Sequence, residues 1–147
     1  MPGLIKKQIL IGRIEKIDFP QLSLYQLDAK IDTGAYTSSL HCHNVKLFTE
    51  ESEQFVMFHV LDPKHPEYEN KPYRARVHKM KNIRSSNGQV EERIIIKQKV
   101  QFSGKERVIE LSLSNRSKMR YPVLLGRKFL SGRFIVDVSK KYLSEGI

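Results

Sequence analysis

The stretch that decides the fold reads AKIDTGA over residues 29–35. Residues 27–32 are a short strand candidate that runs into Asp32. Gly34 then lets the backbone turn sharply or approach a ligand closely. By itself Asp-Thr-Gly is a weak motif, because it also suits an Asx-type turn in which Asp32 caps its own backbone. The remainder of the chain therefore decides whether Asp32 carries chemistry.

Short strands with turns between them fill the rest of the sequence. Alternating apolar side chains predict strands at residues 8–18, 37–45, 53–61, 73–84, 93–102, 107–113, 123–125 and 134–138. SSNG at residues 85–88 predicts a hairpin, because Asn-Gly tolerates positive φ, and SGK at residues 103–105 predicts a second tight turn. Residues 127–131 are expected to form one or two helical turns. This spacing favours an all-β sandwich or barrel, built as a single domain over residues 1–147.

Charge is distributed unevenly along the 147 residues of the chain. Its 26 Lys and Arg outnumber its 16 Asp and Glu, which gives a formal net charge of +10. Residues 1–70 hold 7 basic and 10 acidic side chains, a net −3, whereas residues 71–147 hold 19 and 6, a net +13. A basic half of this size suggests nucleic acid or an acidic protein as partner, the alternative being a solvated surface without a dedicated partner.

Composition also excludes several classes of protein. No apolar run approaches the ~20 residues of a membrane helix, so no membrane association is expected. The single cysteine, Cys42, excludes an internal disulfide framework and a cysteine-based zinc finger, and it makes a cytoplasmic location the expectation. The eight glycines form neither a P-loop nor a dinucleotide-binding pattern, so the sequence has no ATP motif.

A second motif, YPVLLGRKFL at residues 121–130, joins a hydrophobic-hydrophobic-Gly strand end to an arginine-led helix. The order of DTGA, a glycine-tipped hairpin and LLGR resembles the retropepsin-like aspartic peptidases over roughly residues 8–140. The match is closest to a bacterial branch often labelled ATP-dependent zinc proteases, through residues 29–41, 85–88, 119–122 and 124–127. The resemblance implies a closed acid-protease barrel of one lobe, with a flap hairpin, one short C-terminal helix and an insertion at residues 45–78.

The resemblance also implies a role for each motif residue. Asp32 would be the catalytic carboxylate, Thr33 would hydrogen-bond across a dimer interface, and Gly34 would leave room for substrate backbone. The substrate-binding candidates are Ala35 and, at the flap tip, Asn87 and Gly88. Leu124, Leu125 and Gly126 would pack against the active-site loop, and Arg127 would tie down the helix. In viral members the position of Tyr36 is commonly acidic and pairs with the helix arginine, so the partner of Arg127 is left open.

Aspartic proteolysis needs two carboxylates that share one proton around a water molecule. Because the chain has one Asp-Thr-Gly, we expect a homodimer that brings two Asp32 side chains together. The bacterial branch is associated with ATP-dependent ligases that add glutamates to a ribosomal protein. The resemblance therefore makes an acidic peptide or protein tail the expected substrate of an aspartic endopeptidase.

A zinc-dependent peptidase is an alternative. His41 and His43 share one face of a strand and could bind zinc, with Asp32 or His78 as a third ligand, while Cys42 on the opposite face is expected in the core. No His-Glu-x-x-His motif is present, so surface or half-buried histidines and an enzyme without a cofactor are the favoured interpretation.

A further alternative is an inactive binding module for an acidic partner or for nucleic acid. Basic side chains flank the hairpin and aromatic side chains lie between them, and together these could contact single-stranded nucleic acid. The basic residues are Arg74, Arg76, Lys79, Lys81, Arg84, Lys97, Lys99, Lys105 and Arg107, and the aromatic ones are Tyr73, Phe102 and Tyr121. A solvated charged face is favoured over nucleic-acid binding.

Overall fold

A computed structural model describes residues 7–84, 87–115 and 120–144. The strands and the α-helix within those ranges are β1 (Ile9–Gly12), β2 (Ile14–Phe19), β3 (Leu24–Ile31), β4 (Ser38–Glu50), β5 (Glu53–Val60), β6 (Tyr73–Arg76), β7 (Lys79–Arg84), β8 (Val90–Phe102), β9 (Lys105–Ser114), β10 (Val123–Leu125), α1 (Arg127–Leu130) and β11 (Phe134–Asp137), and a 3-10 turn at Pro20–Leu22 joins β2 to β3. The fold is all-β with one short helix, which confirms the predicted class.

The strands form a nearly closed ring in the order β10-β3-β2-β8-β9-β4, and β10 returns to pair with β4. β10 lies parallel to β3, with Leu125 beside Ile31, and antiparallel to β4, with Val123 beside Leu40. The junction of β2 and β8 is thin, with Asp18 and Gln101 as its paired positions. A strand from the end of the chain thus lies between two early strands and closes the barrel.

The single strand predicted over residues 8–18 is in fact two strands. β1 pairs with β11, whereas β2 pairs with β3 and β8. Between them, Arg13 donates its N–H to the carbonyl of Lys140 and accepts the N–H of Ile31. A Cβ at Gly12 would lie 2.5 Å from the Lys140 oxygen, so this crossing needs a glycine. Alternation predicted the extended conformation correctly but not the exchange of partners.

The segment after residue 45 continues the sheet beyond the ring, and its buried side chains belong to the barrel's core cluster. β4 pairs with β9 through residues 38–41, and its remainder continues into an antiparallel sheet with β5 and β6. The strand predicted at 73–84 is likewise divided, into β6 and β7, because β6 pairs with β5 while β7 joins β8. The description of residues 45–78 as an insertion stays a prediction.

One hydrophobic cluster fills the barrel and runs from Ile11 to Phe134. Phe102 meets Phe129 and Phe134 edge to face, and this contact packs α1 and β11 against the sheet. Cys42 is 1% exposed and belongs to this cluster, as predicted, and its burial raises the pKa of its thiol. The core therefore holds the short helix against the barrel.

A buried carboxylate fastens the C-terminal segment to the barrel. Glu15 accepts the N–H groups of Gly12, Leu143 and Ser144 at 2.7, 2.9 and 3.1 Å, and also the Ser144 hydroxyl. Each carboxylate oxygen of this fully buried side chain has partners, which offsets the cost of removing the charge from water.

The two predicted turns join the strands that they were expected to join. Ser103 and Gly104 have φ of 54° and 71° between β8 and β9, and Gly88 has φ of 84° between β7 and β8. Ser85, Ser86 and Met119, which the motif analysis included, lie outside the described residues. Within the described part of the chain, no helix is long and apolar enough to cross a membrane.

Candidate active site

The active-site loop begins where β3 ends, and β10 holds it in place. The N–H of Asp32 donates to the carbonyl of Leu125 at 2.9 Å. The Asp32 carboxylate in turn accepts the N–H of Gly34 at 3.0 Å, which is the Asx-type contact considered from sequence. This local turn does not conflict with a chemical role, because it fixes one carboxylate oxygen and Asp32 remains half-buried at the cleft.

Gly126 lets the loop and α1 approach each other closely. A Cβ at this position would lie 2.8 Å from the carbonyl oxygen of Ala35 and 2.7 Å from that of Tyr36. The same two oxygens accept the N–H groups of Arg127 and Lys128 at 2.8 and 3.0 Å. The buried Ser38 hydroxyl accepts the Gly126 N–H at 3.0 Å. Together these bonds support the loop that carries Asp32.

The partner of Arg127, which the sequence left open, is a carbonyl and an aromatic ring. Its guanidinium donates to the Thr33 carbonyl at 3.0 Å and lies 5.7 Å from the centre of the Tyr36 ring. Lys81 of β7 approaches the same ring to 4.7 Å and donates to the Thr37 hydroxyl at 3.0 Å. Tyr36 thus replaces an acidic partner by a cation–π contact and also connects the loop to the β7–β8 hairpin.

These residues border an open cleft of about 1060 Å³. Of the predicted site residues, Asp32, Gly34, Ala35, Leu124 and Arg127 line it. The cleft is also lined by residues that the sequence did not assign to the site, namely Tyr36, Thr37, Ser39, Lys81, Asn82, Ile83, Arg84, Arg93, Ser112, Ser114 and Asn115. The basic residues before the hairpin were the available signal for Lys81 and Arg84. Which of these side chains face the cleft depends on how the strand pairs, and the sequence does not show that pairing. Among the described lining residues, Asp32 is the one carboxylate and there are four cations.

Other predicted residues lie around the cleft rather than in its wall. Thr33 is exposed beside Asp32, and Leu125 and Gly126 support the loop from behind. Asn87 and Gly88 are exposed at the end of the β7–β8 hairpin, where the Asn87 side chain accepts the Gln89 N–H. Contact between this hairpin end and a substrate stays a prediction.

The two candidate zinc ligands are engaged in other bonds. His41 is buried and its Nε2 lies 2.9 Å from Asp62 Oδ2, whereas Nδ1 of His43 lies 2.7 Å from the Leu61 carbonyl. Burial alone would raise the pKa of Asp62, but hydrogen bonds from His41 and a backbone N–H lower it overall. Across residues 7–84, 87–115 and 120–144, no three potential ligands cluster. The donor geometry therefore does not fit a zinc site at these histidines.

The aromatic side chains considered for nucleic-acid binding do not share one open surface. Phe102 is 1% exposed in the core, and Tyr73 is half-buried against Phe58. The Phe102 ring is therefore not available as a platform on which a base could stack, and Lys71 lies 5.3 Å over the Tyr73 ring.

An ion-pair cluster anchors β7 beside the cleft. Glu110 of β9 lies 3.2 Å from Lys79 of β7 and 2.7 Å from Lys128 of α1. Burial would raise the pKa of Glu110, but the two lysines lower it overall, and Glu110 in turn raises the pKa of Lys128. The cluster links β7, β9 and α1 at one end of the site.

The chain matches a protein-family model and several larger proteins. A family model named RimB-like, described as "Retropepsin-like aspartic endopeptidase RimB", matches residues 10–146. Relatives described as probable alpha-L-glutamate ligases include one from Shewanella halifaxensis, 35% identical over 92% of this chain, and one from Parasynechococcus marenigrum, 33% identical over 89%. The chain spans 30% and 28% of the length of these two relatives.

The fold also matches a solved structure. A Legionella pneumophila protein of unknown function superposes with a TM-score of 0.75 at 22% identity, over 95% of this chain and 100% of that one. This likeness extends the shared fold to nearly the whole chain.

Proposed function

The chain belongs to the RimB-like family of retropepsin-like aspartic endopeptidases, and we propose that it hydrolyses peptide bonds with Asp32 as its catalytic carboxylate. The observation that carries the proposal is the position of Asp32. It lies on a loop held by β10 and borders a cleft large enough for an extended peptide. The loop contacts fix the carboxylate in orientation, which general acid–base catalysis requires.

We propose that a homodimer completes an aspartic dyad with one Asp32 from each chain. Asp32 is the one carboxylate among the described lining residues, and Thr33 beside it is exposed. A two-fold axis near these residues would bring the two Asp32 side chains together, because an isologous interface places the same residue opposite itself. One carboxylate would then take a proton from water, while the other, protonated, would polarise the scissile carbonyl.

For the substrate we propose an acidic peptide or protein tail. The cleft wall carries Lys81, Arg84 and Arg127, and also Arg93 in an ion pair with Glu91, against the single Asp32. Cations lining a cleft attract and orient negatively charged ligands. The relatives described as glutamate ligases support the same choice, since glutamate ligation yields acidic products.

The test is cleavage of a glutamate-rich peptide and of a mixed peptide library, followed by mass spectrometry at several pH values. We expect Asp32→Asn to lower kcat/KM by roughly three orders of magnitude, because it removes the acid–base group and keeps the shape. Asp28→Asn is the matched control, since Asp28 lies on β3, the strand that leads into Asp32, and pairs with Lys16 outside the cleft. Undiminished cleavage by the Asp32 variant would refute the aspartic mechanism.

Mixing subunits tests the dimer separately. If both carboxylates of a dyad are needed, re-equilibrated equal amounts of wild-type and Asp32→Asn protein should retain about a quarter of the activity of wild-type at the same total concentration. Independent monomers would retain about half. Cleavage that a chelator abolishes and added zinc restores would instead favour metal chemistry. Binding of the acidic peptide without cleavage at any pH would indicate an inactive binding module.

A further inference from the structure

Two cations from different elements lie over one exposed tyrosine in the cleft. Tyr36 is 48% exposed, with Lys81 Nζ at 4.7 Å and Arg127 Cζ at 5.7 Å from the ring centre. Lys81 comes from β7 of the hairpin and Arg127 from the start of α1, so tertiary structure brings the two charges together. All three residues line the cleft that contains Asp32.

The oxygen atoms around these two cations are neutral. Lys81 donates to the Thr37 hydroxyl and Arg127 to the Thr33 carbonyl. Within residues 7–84, 87–115 and 120–144, neither cation has a carboxylate at ion-pair distance. A hydroxyl, a carbonyl and an aromatic face orient a cation without cancelling its charge.

The neighbouring cations on the same two elements are paired differently. Lys79 lies two residues before Lys81, and Lys128 directly follows Arg127. Both of these lysines bind Glu110, which neutralises part of their charge. The fold therefore neutralises one pair of cations outside the cleft and leaves the pair inside it without a carboxylate.

We propose that Lys81 and Arg127 form a subsite for a substrate carboxylate, with Tyr36 as the positioning residue that holds both cations. This inference rests on the proposed function and adds which residues select an acidic side chain. A glutamate or aspartate beside the scissile bond would form charge-assisted hydrogen bonds with the two cations. The ring would keep them at the cleft wall in the absence of substrate, so less ordering is needed on binding.

The experiment measures binding, so that it does not depend on turnover. Fluorescence anisotropy is recorded with a labelled oligoglutamate peptide and its oligoglutamine analogue, with every variant carrying Asp32→Asn to prevent cleavage. Tyr36→Glu places a carboxylate between the cations, and Tyr36→Phe keeps the aromatic face. Tyr25→Glu is the matched control, because Tyr25 is 52% exposed and lies outside the cleft lining.

We expect Tyr36→Glu to raise the Kd of the oligoglutamate peptide about tenfold, because the new carboxylate competes for both cations. The same variant should weaken oligoglutamine binding much less than oligoglutamate binding, because the uncharged amide does not compete with the new carboxylate for the cations. Tyr36→Phe and Tyr25→Glu should stay within about twofold of the parent. The preference for oligoglutamate should also shrink as salt is added.

Three results would overturn the subsite. The first is that Tyr36→Glu and its parent bind oligoglutamate equally well. The second is that Tyr25→Glu loses as much oligoglutamate affinity as Tyr36→Glu, and the third is that the parent shows no preference for oligoglutamate over oligoglutamine at low salt. None of these results touches the catalytic proposal. That proposal depends on library cleavage by the wild-type protein and its loss in Asp32→Asn, so the two ideas fail separately.

Discussion

Replacing Gly126 by alanine tests the close packing that holds the active-site loop. The new Cβ would lie 2.7 Å from the Tyr36 oxygen, about 0.7 Å inside ordinary van der Waals contact. Retreat of the loop by that distance would stretch the bonds from Arg127 and Lys128 to the same loop, which measure 2.8 and 3.0 Å. Two weakened backbone bonds and residual overlap cost about 3 kcal/mol.

Part of that cost is offset in the unfolded chain. Alanine has less backbone freedom than glycine, which contributes about 0.7 kcal/mol in favour of folding. Since Gly126 has φ of −101°, no backbone strain is added. The expected net loss is about 2 kcal/mol in the free energy of unfolding, measured by urea denaturation with an unchanged m-value. The displaced loop should also lower kcat.

Gly132→Ala separates steric overlap from backbone strain. Gly132 has φ of +78° and open space where its Cβ would lie, so we expect a loss of about 1 kcal/mol and normal kcat. A Gly126→Ala protein that unfolds within about 0.5 kcal/mol of wild-type and keeps its activity would refute the proposed loop support.

Two further predictions concern the contacts behind the cleft. Ser38→Ala should cost about 1–3 kcal/mol, because it leaves the buried Gly126 N–H without an acceptor, whereas Ser112→Ala should be nearly neutral, since the buried Ser112 hydroxyl has no partner among the described residues. Urea denaturation of both variants compares them directly, and equal losses would contradict the assignment. Glu110→Gln should lower the urea midpoint at pH 7. Because the folded-state pKa of Glu110 is lowered, this difference should persist above about pH 4.3, the ordinary value, and disappear as the pH falls through the lower folded pKa. A difference that grows with acidification would contradict the ion-pair role.

Local sequence patterns predicted much of the fold. Runs of consecutive apolar residues located β5 and β10, and the residues after Gly126 formed the expected short helix. Ser103 and Gly104 adopted the positive φ values that a tight hairpin needs. These features depend on neighbouring residues, so a reading of the chain in order can find them.

Pairing between distant strands was harder to predict from the sequence. The break at Arg13 was not predicted, because it depends on Lys140 and Ile31 rather than on the residues next to it. The histidines of β4 share a regular strand pattern, yet their bonds to Asp62 and to the Leu61 carbonyl come from the chain beyond β5. A pattern of alternation shows which side chains are buried and does not show which strand covers them.

The sequence alone located most of the strands of this protein, carried its family resemblance and singled out Asp32 as the candidate catalytic residue. The tertiary structure decided that β10 lies between β3 and β4, which joins Arg127 to Thr33 across 94 positions of the chain. It also decided that Lys81 and Arg127 meet over Tyr36 inside the cleft while their neighbours bind Glu110. The physical reason is that alternation and turn residues act over a few positions, whereas strand order and charge pairing depend on which distant surfaces pack together.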